Sequence, residues 1–128
     1  MNLSVPTSPG EFLDRLTILE IKSERIADPA KLANVRRELE TLRTAWAASP
    51  FAAHDVQALV GRLKAVNEEL WEIEDRVRAR EAEQDFGEQF IRLARSVYRT
   101  NDRRTAIKRE LNMALGSDLL EEKSYTDY

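Results

Sequence analysis

Residues 55–84 read DVQALVGRLKAVNEELWEIEDRVRAREAEQ, and this stretch decides the fold class. Its apolar side chains recur at alternating intervals of three and four residues, the spacing of a helix that buries one narrow stripe. The stripe consists of Val56, Leu59, Leu63, Val66, Leu70, Ile73 and Val77. At ~1.5 Å per residue, a helix over this range is about 45 Å long. The stretch therefore predicts an all-α protein.

The segment that precedes it has a second stripe of the same kind. Leu32, Val35, Leu39, Leu42 and Trp46 follow the same intervals. Asp28-Pro29 supplies an N-cap aspartate and a first-turn proline, and Ser49-Pro50 ends the pattern. Two striped helices joined by a short loop predict a long antiparallel hairpin made of helices two and three.

Helix one begins at a further capping signal and carries apolar residues on two sides. Ser8-Pro9-Gly10-Glu11 places a hydroxyl at the N-cap and a carboxylate three residues later, so the helix is expected to run to about Ala27. Phe12, Leu16, Leu19 and Ile26 share one face, whereas Ile18 and Ile21 lie nearly opposite. Either helix one is central and covered on both sides, or Ile18 and Ile21 form a homodimer interface.

The C-terminal half predicts two further helices. Asp85-Phe86-Gly87-Glu88 indicates a break, after which Phe86, Phe90, Leu93 and Val97 form the stripe of helix four. Thr100-Asn101-Asp102 contains capping residues again, so a fifth helix is expected from there to Gly116. The prediction is a single domain over 1–128 with about five amphipathic helices, in which helices one, four and five pack on the hairpin. A short N-terminal extension (1–7) and an acidic, partly irregular tail (117–128) complete it.

Composition limits the classes of function. The chain of 128 residues has 42% apolar and 34% charged residues, which suits one folded domain with solvated helix faces. The absence of cysteine and of any apolar run of ~18 residues predicts a cytoplasmic protein without a membrane span. A net charge of −3 argues against nucleic acid as a partner.

The stretch from Arg92 to Arg109 is the most distinctive candidate site. It contains seven basic residues and one acid, Asp102. The candidate anion-binding or partner-binding residues are Arg92, Arg95, Arg99, Arg103, Arg104 and Lys108. Arginine forks match phosphate and carboxylate groups, so a phosphorylated or nucleotide-linked small molecule is one candidate ligand. The alternative is a solvated face whose arginines pair with Glu88, Glu110 or the acidic tail.

No residue pattern amounts to a catalytic or cofactor site. Glu69 and Glu72 form an ExxE step like that of helical nucleotide pyrophosphohydrolases, but no later ExxD follows on another helix. His54 stands before a helix without a serine partner in a Gly-x-Ser-x-Gly turn. We therefore predict no catalytic residue, no metal ligand and no cofactor.

Three segments taken together are similar to a known family. They are Gly10–Lys22 (GEFLDRLTILEIK), Val66–Asp75 (VNEELWEIED) and Val97–Arg104 (VYRTNDRR) followed by Ile107–Asn112 (IKRELN). The chain resembles a family of short, all-helical bacterial proteins of unknown function that is associated with glycosyltransferase and surface-polysaccharide proteins. The resemblance implies an accessory role near sugar transfer and brings no catalytic residue with it.

The sequence favours a non-enzymatic interaction module. In this hypothesis the helical surface and the Arg92–Arg109 region hold a protein partner or a second copy of the chain. The alternative is a small enzyme or binding protein that captures a phosphorylated or nucleotide-linked ligand with the same basic region.

Overall fold

The computed structural model describes residues 1–128 and consists of four α-helices without a β-strand. The helices are α1 (Pro9–Arg25), α2 (Pro29–Ala47), α3 (Gln57–Ala82) and α4 (Glu88–Ala114), with a 3₁₀ turn at Pro50–Ala53. Residues 1–8 and 115–128 contain no helix or strand. The all-α prediction is confirmed.

The first two helices begin where the capping residues predict. The Ser8 hydroxyl accepts a hydrogen bond of 3.1 Å from the Glu11 amide, and the Asp28 carboxylate accepts one of 2.9 Å from the Lys31 amide. Each bond satisfies an amide that has no partner inside the helix, and the proline that follows each cap fits the first turn.

The prediction of five helices is wrong, because helices four and five are one continuous helix. Thr100, Asn101 and Asp102 lie inside α4, and Thr100 is buried there. Capping side chains end a helix only where the backbone also leaves the helical conformation, and this segment has no glycine or proline to favour that. The break at Gly87 is real, since α3 ends at Ala82 and α4 begins at Glu88.

The main hairpin pairs α3 with α4, so the predicted hairpin of helices two and three is not confirmed. Residues later in α3 pair with residues earlier in α4, which makes the two helices antiparallel. The cross-helix pairs are Arg62–Glu110, Glu69–Arg103 and Arg80–Gln89. Helix α2 packs on α1 instead, where Trp46 stacks on Phe12 with ring centroids 5.8 Å apart.

Helix α1 is central in the fold. It packs against α2, α3 and α4. Its buried side chains join one core with residues from the other helices and from the start of the tail. That core consists of Leu13, Leu16, Leu19, Leu39, Leu63, Val66, Ile107, Leu111 and Leu115. Ile21, on the other side of α1, is only 1% exposed, so the monomer covers α1 on both sides.

The α3–α4 hairpin is longer than the helix that packs on it. Helix α1 has 17 residues, whereas α3 and α4 have 26 and 27, which correspond to ~25 Å and ~40 Å. The distal part of the hairpin, residues 71–99, is called the hairpin arm below. None of its residues is buried, in contrast to the flanking Leu70 and Thr100.

Candidate functional site

The hairpin arm exposes apolar side chains that a folded core would enclose. Phe86 and Ile91 are 52% and 54% exposed. The other large apolar side chains of the arm are only partly buried; they are Trp71, Ile73, Val77, Phe90, Leu93 and Val97. A helix with one apolar stripe is stable when that stripe packs against another element, and apart from contacts at Trp71 and at Tyr98–Arg99 each helix of the arm has only its hairpin partner. The arm is therefore a candidate binding surface.

One stripe of side chains on α4 runs from the arm to the part of the helix that contacts α1. Phe90, Val97, Arg104, Lys108 and Asn112 follow one another at intervals of seven or four residues, so they lie on one face of the helix. At its C-terminal end this face contacts α1, because Asn112 accepts a hydrogen bond from Gly10 and Lys108 pairs with Glu11. The same face has no helix opposite it at Phe90 and Val97.

A matching stripe of α3 also continues beyond α1. Asn67 donates to Asp14 and Thr17 of α1 at 2.9 and 3.0 Å. One turn later the Trp71 ring lies 6.0 Å from the Arg25 guanidinium, close to the end of α1. Beyond this point the stripe carries charged side chains at Glu74 and Arg78, which pair with each other at 3.4 Å. Beyond Glu72, α3 therefore forms no ion pair or hydrogen bond with α1.

A groove of about 330 Å³ lies beside the middle of α1. Its apolar lining comes from Ile18 and Ile21 of α1 and from Leu70 and Trp71 of α3. Arg104 of α4 lies at its edge, together with the polar side chains Asn67, Glu74, Asp75 and Arg78. Ile21 is enclosed by the monomer and Ile18 is half-buried, and the dimer interface predicted at these two residues stays a prediction.

Arg104 is the basic residue with the least satisfied environment. It is partly buried, its Nε atom is shielded from solvent without a hydrogen-bond acceptor, and no carboxylate lies within 4.0 Å of its guanidinium group. A buried donor without an acceptor costs about 1–3 kcal/mol. An incoming carboxylate or phosphate group would remove that cost.

The other predicted basic residues fall into two groups. Arg92 pairs with Glu88 at 2.8 Å, and Arg103 pairs with Glu69 at 2.6 Å. Arg95 and Arg99 form no ion pair and lie beside Tyr98. Their guanidinium groups, that of Arg95 first, lower the pKa of the Tyr98 phenol. The structure therefore brings Arg95 and Arg99 together and directs Arg92 and Arg103 to neighbouring carboxylates.

Lys108 is not on the exposed basic surface where the sequence placed it. It is only 5% exposed, and its Nζ atom lies 2.6 Å from Glu11, 2.8 Å from Glu121 and 3.9 Å from Asp14. Burial acts to lower its pKa, but the hydrogen bonds to Glu11 and Glu121 outweigh burial, and the pKa lies above its ordinary value of 10.5. Lys108 is a buried cation that connects α1, α4 and the tail.

Sequence reasoning missed the polar network around Lys108. Asp14, Thr17, Asn67 and Asn112 are all buried, and they form hydrogen bonds across α1, α3 and α4. Their positions beside apolar stripe residues, such as Asn112 next to Leu111, are the one signal that could have revealed them. Each of these side chains forms a hydrogen bond within the chain, so we interpret the network as structural.

The tail folds back along α4 and forms a second cavity. Glu122 pairs with Arg109 at 3.3 Å, and the Tyr128 ring packs edge-on against Tyr98 with centroids 5.1 Å apart. A cavity of about 1050 Å³ lies between α4 and residues 123–128. Arg104 lines this cavity as well as the groove, so the unsatisfied guanidinium group stands between the two spaces.

Other chemistry is limited. No group of three or more histidine, aspartate or glutamate side chains is arranged to hold a metal ion. His54 is exposed in the loop that precedes α3. None of the helices combines the length and the apolar character needed to cross a membrane.

Comparison with known proteins gives one match. Residues 3–128 match a family of unknown function, DUF6165. No curated protein and no solved structure matches the chain.

Proposed function

Since the chain belongs to the DUF6165 family of unknown function, its role has to be argued from its own surface, and we propose that it is a non-enzymatic protein-interaction module. The hairpin arm is the surface that binds the partner. The single observation that carries this proposal is that no residue between Trp71 and Arg99 is buried, although both helices of the arm carry apolar stripes.

The free energy available at the arm alone is below what micromolar binding requires. Fully burying a large apolar side chain contributes about 1.5–3 kcal/mol. Covering Phe86 and Ile91 would contribute about half of that for each, and covering the less exposed Phe90 and Val97 about a fifth for each, or roughly 2–4 kcal/mol in total. Micromolar affinity corresponds to about 8 kcal/mol, so the neighbouring groove at Ile18 and Trp71 has to contribute to the same interface.

Site-specific photo-crosslinking in the producing cell tests the proposal. A photoreactive amino acid at Phe86 or Ile91 should form one discrete adduct with a partner, because both side chains are exposed on the arm. The same amino acid at Ala45, an exposed position on α2, is the matched control and should form none. Equal adducts at all three positions, or turnover of a sugar nucleotide by the purified protein, would overturn the proposal.

A second candidate function is binding of a phosphorylated or nucleotide-linked ligand. It is favoured by the buried Nε atom of Arg104 without an acceptor and by the lack of carboxylate partners at Arg95 and Arg99. A ligand present at 100 times its dissociation constant stabilises the protein by ~2.7 kcal/mol, which raises Tm by roughly 10 °C at this size. A panel of sugar nucleotides should give such a shift, which Arg104→Gln removes and Arg36→Gln on α2 retains.

The proposal also includes the pathway and the cellular compartment in which the protein acts. We infer an accessory role beside glycosyltransferases of surface-polysaccharide pathways in the bacterial cytoplasm, which the resemblance implies, and self-association through Ile18 remains compatible with the same surface. If the adducts formed at Phe86 contain no glycosyltransferase or polysaccharide protein, this assignment fails while the interaction module stands.

A further inference from the structure

We propose that the cavity between α4 and the tail binds a phosphorylated sugar, either a sugar phosphate or a nucleotide, with the phosphate group at Arg104. This inference rests on the second candidate function, because it names the site and the ligand chemistry for it. The cavity of about 1050 Å³ has room for such a molecule, since ligand pockets usually measure about 300–1,000 Å³.

The tail forms an arch over α4 that is fixed at both ends. At its start, Glu121 binds Lys108 at 2.8 Å. At its end, the hydroxyl group of Tyr128 donates a hydrogen bond to Asp102. Residues 123–127 lie between these two anchors and form no hydrogen bond or ion pair with α4. The chain itself therefore does not fill the space beneath the arch.

The α4 side of the cavity separates positive from negative charge. Residues two positions apart in a helix are rotated by about 200°, so Arg104 and Asp102 lie on opposite flanks of the α4 surface that faces the arch. Val97, Asn101 and Thr105 lie between them and form the base of the cavity. One flank therefore favours an anionic group, and the other favours groups that donate hydrogen bonds.

Arg104 and Lys123 select the anionic group. Arg104 forms no ion pair, and its Nε atom has no acceptor within the chain. Lys123 adds a second positive charge from the arch, because its partner Glu121 also neutralises Lys108. A phosphate group has three acceptor oxygens and up to two negative charges, so it satisfies both cations better than a carboxylate does.

The other side chains of the cavity match a sugar ring. Asp102 accepts one hydrogen bond from Tyr128, and a carboxylate can accept several more. Asn101 and Ser124 supply an amide and a hydroxyl group, so the hydroxyl groups of a sugar find both donors and acceptors. The rings of Tyr98 and Tyr128, whose centroids are 5.1 Å apart, give an apolar wall against which the ring can pack.

Isothermal titration calorimetry with the full chain tests the inference. The probes are glucose 1-phosphate and uridine monophosphate, which represent the two sources of a phosphorylated sugar. Inorganic phosphate, glucose and uridine are the matched fragments. At least one probe should bind about tenfold more tightly than each of its fragments, because only the whole molecule contacts both flanks. If neither probe binds at millimolar concentration, or if inorganic phosphate binds as tightly as the probes, the inference is wrong.

Two variants, each with a matched control, locate the bound probe. Arg104→Gln should weaken binding about tenfold, whereas Arg36→Gln on α2 should leave it unchanged. Ser124→Glu adds a negative charge to the exposed arch and should weaken binding to a similar extent, whereas Thr44→Glu adds the same charge at an exposed position of α2 and should have no effect. Circular dichroism confirms that each variant is folded. Unchanged binding in either cavity variant would contradict the inference.

NMR spectra of the unsubstituted chain give a second measure of the location. Amide signals of residues 101–105 and 123–128 should shift when the probe is added, whereas those of α2 should not. Signals that shift only around the groove at Ile18 and Trp71 would place the ligand on the other side of Arg104 and overturn the cavity assignment.

The outcomes separate this inference from the functions proposed above. If a sugar nucleotide of the panel raises Tm but no compound shifts the signals of residues 123–128, ligand binding stands and only the inference falls. If no compound binds at all, the second candidate function falls as well. The interaction module is decided separately, by the adducts at Phe86 and Ile91.

Discussion

Replacement of Gly10 by alanine tests the closest contact between α1 and α4. A Cβ atom at Gly10 would lie 2.5 Å from the carbonyl oxygen of Lys108 and 2.8 Å from Oδ1 of Asn112. The backbone oxygen cannot rotate away, so the two helices have to separate. The hydrogen bond of 2.7 Å from the Gly10 amide to Asn112 then lengthens.

Three contributions determine the magnitude for Gly10→Ala. Overpacking a tight contact costs about 1–3 kcal/mol, and weakening one buried hydrogen bond costs about 1 kcal/mol. The higher helix propensity of alanine returns at most about 1 kcal/mol. The free energy of unfolding should therefore fall by about 1–3 kcal/mol. For a chain of 128 residues, each kcal/mol lowers Tm by roughly 4 °C, so Tm should fall by roughly 4–12 °C.

Gly61→Ala is the matched control for this experiment. Gly61 also lies in a helix, but no atom approaches within 4 Å of the position of its Cβ. The same substitution should stabilise the protein there by about 0.5–1 kcal/mol. Urea unfolding followed by circular dichroism measures both variants. If Gly10→Ala is as stable as the parent, or if both variants lose the same free energy, the close approach of α1 to α4 is wrong.

Three further predictions concern the polar network and the tail. Asn112→Ala leaves the buried Gly10 amide without its acceptor and should cost about 1–3 kcal/mol in urea unfolding, and a loss of less than about 0.5 kcal/mol would contradict this. Lys108→Met leaves the carboxylates of Glu11 and Glu121 without their cation and should cost about 2–4 kcal/mol, since Glu11 is half exposed. Backbone motion of residues 117–128, measured by NMR relaxation, should increase in the same variant, and an unchanged tail would show that Lys108 does not hold it. The hydrogen bond from Lys108 lowers the pKa of Glu121 below 4.5, so its contribution to stability is present above that value and is lost as pH falls through the folded-state pKa. The order of the tail in NMR relaxation should therefore be lost as pH falls below 4.5, whereas an ordered tail in strong acid would exclude this ion pair as the cause.

Local signals in the sequence predict where helices begin, and they fail where packing decides. Ser8 and Asp28 cap α1 and α2 because each hydroxyl or carboxylate needs only the next few amides. The same logic fails at Thr100, where α4 continues because its stripe packs on α3 across this point. Capping potential is a property of a few residues, whereas continuity of a helix depends on the surface beneath it.

The sequence also did not predict which helices pack on each other. The stripes of helices two and three have the same spacing, so spacing alone permits either to pair with any striped neighbour. In the fold, the α2 stripe packs on α1, while α3 pairs with α4 through a turn of five residues, 83–87. This connection is shorter than the one between α2 and α3, residues 48–56, and it has a positive φ of 54° at Gln84, which no residue pattern predicts there.

Only part of the candidate site could be predicted from the sequence, and the reason is related. Arg104 belongs to the basic stretch that charge counting singled out, yet its unsatisfied Nε atom depends on which side chains α1 and the tail place around it. Lys108 looked equivalent in the sequence but is buried against carboxylates from α1 and the tail. The exposure of a charge is a tertiary property, because the groups that surround it are distant along the chain.

The hydrogen bond between Gly10 and Asn112 joins residues that are 102 positions apart. Translation at about 5–20 residues per second separates their synthesis by roughly 5–20 s. During that interval the first helix leaves the ribosome without the helix that covers it, so its apolar side and its buried Asp14 remain in water. Helix α1 therefore reaches its complete native surroundings only after α4 has been synthesised.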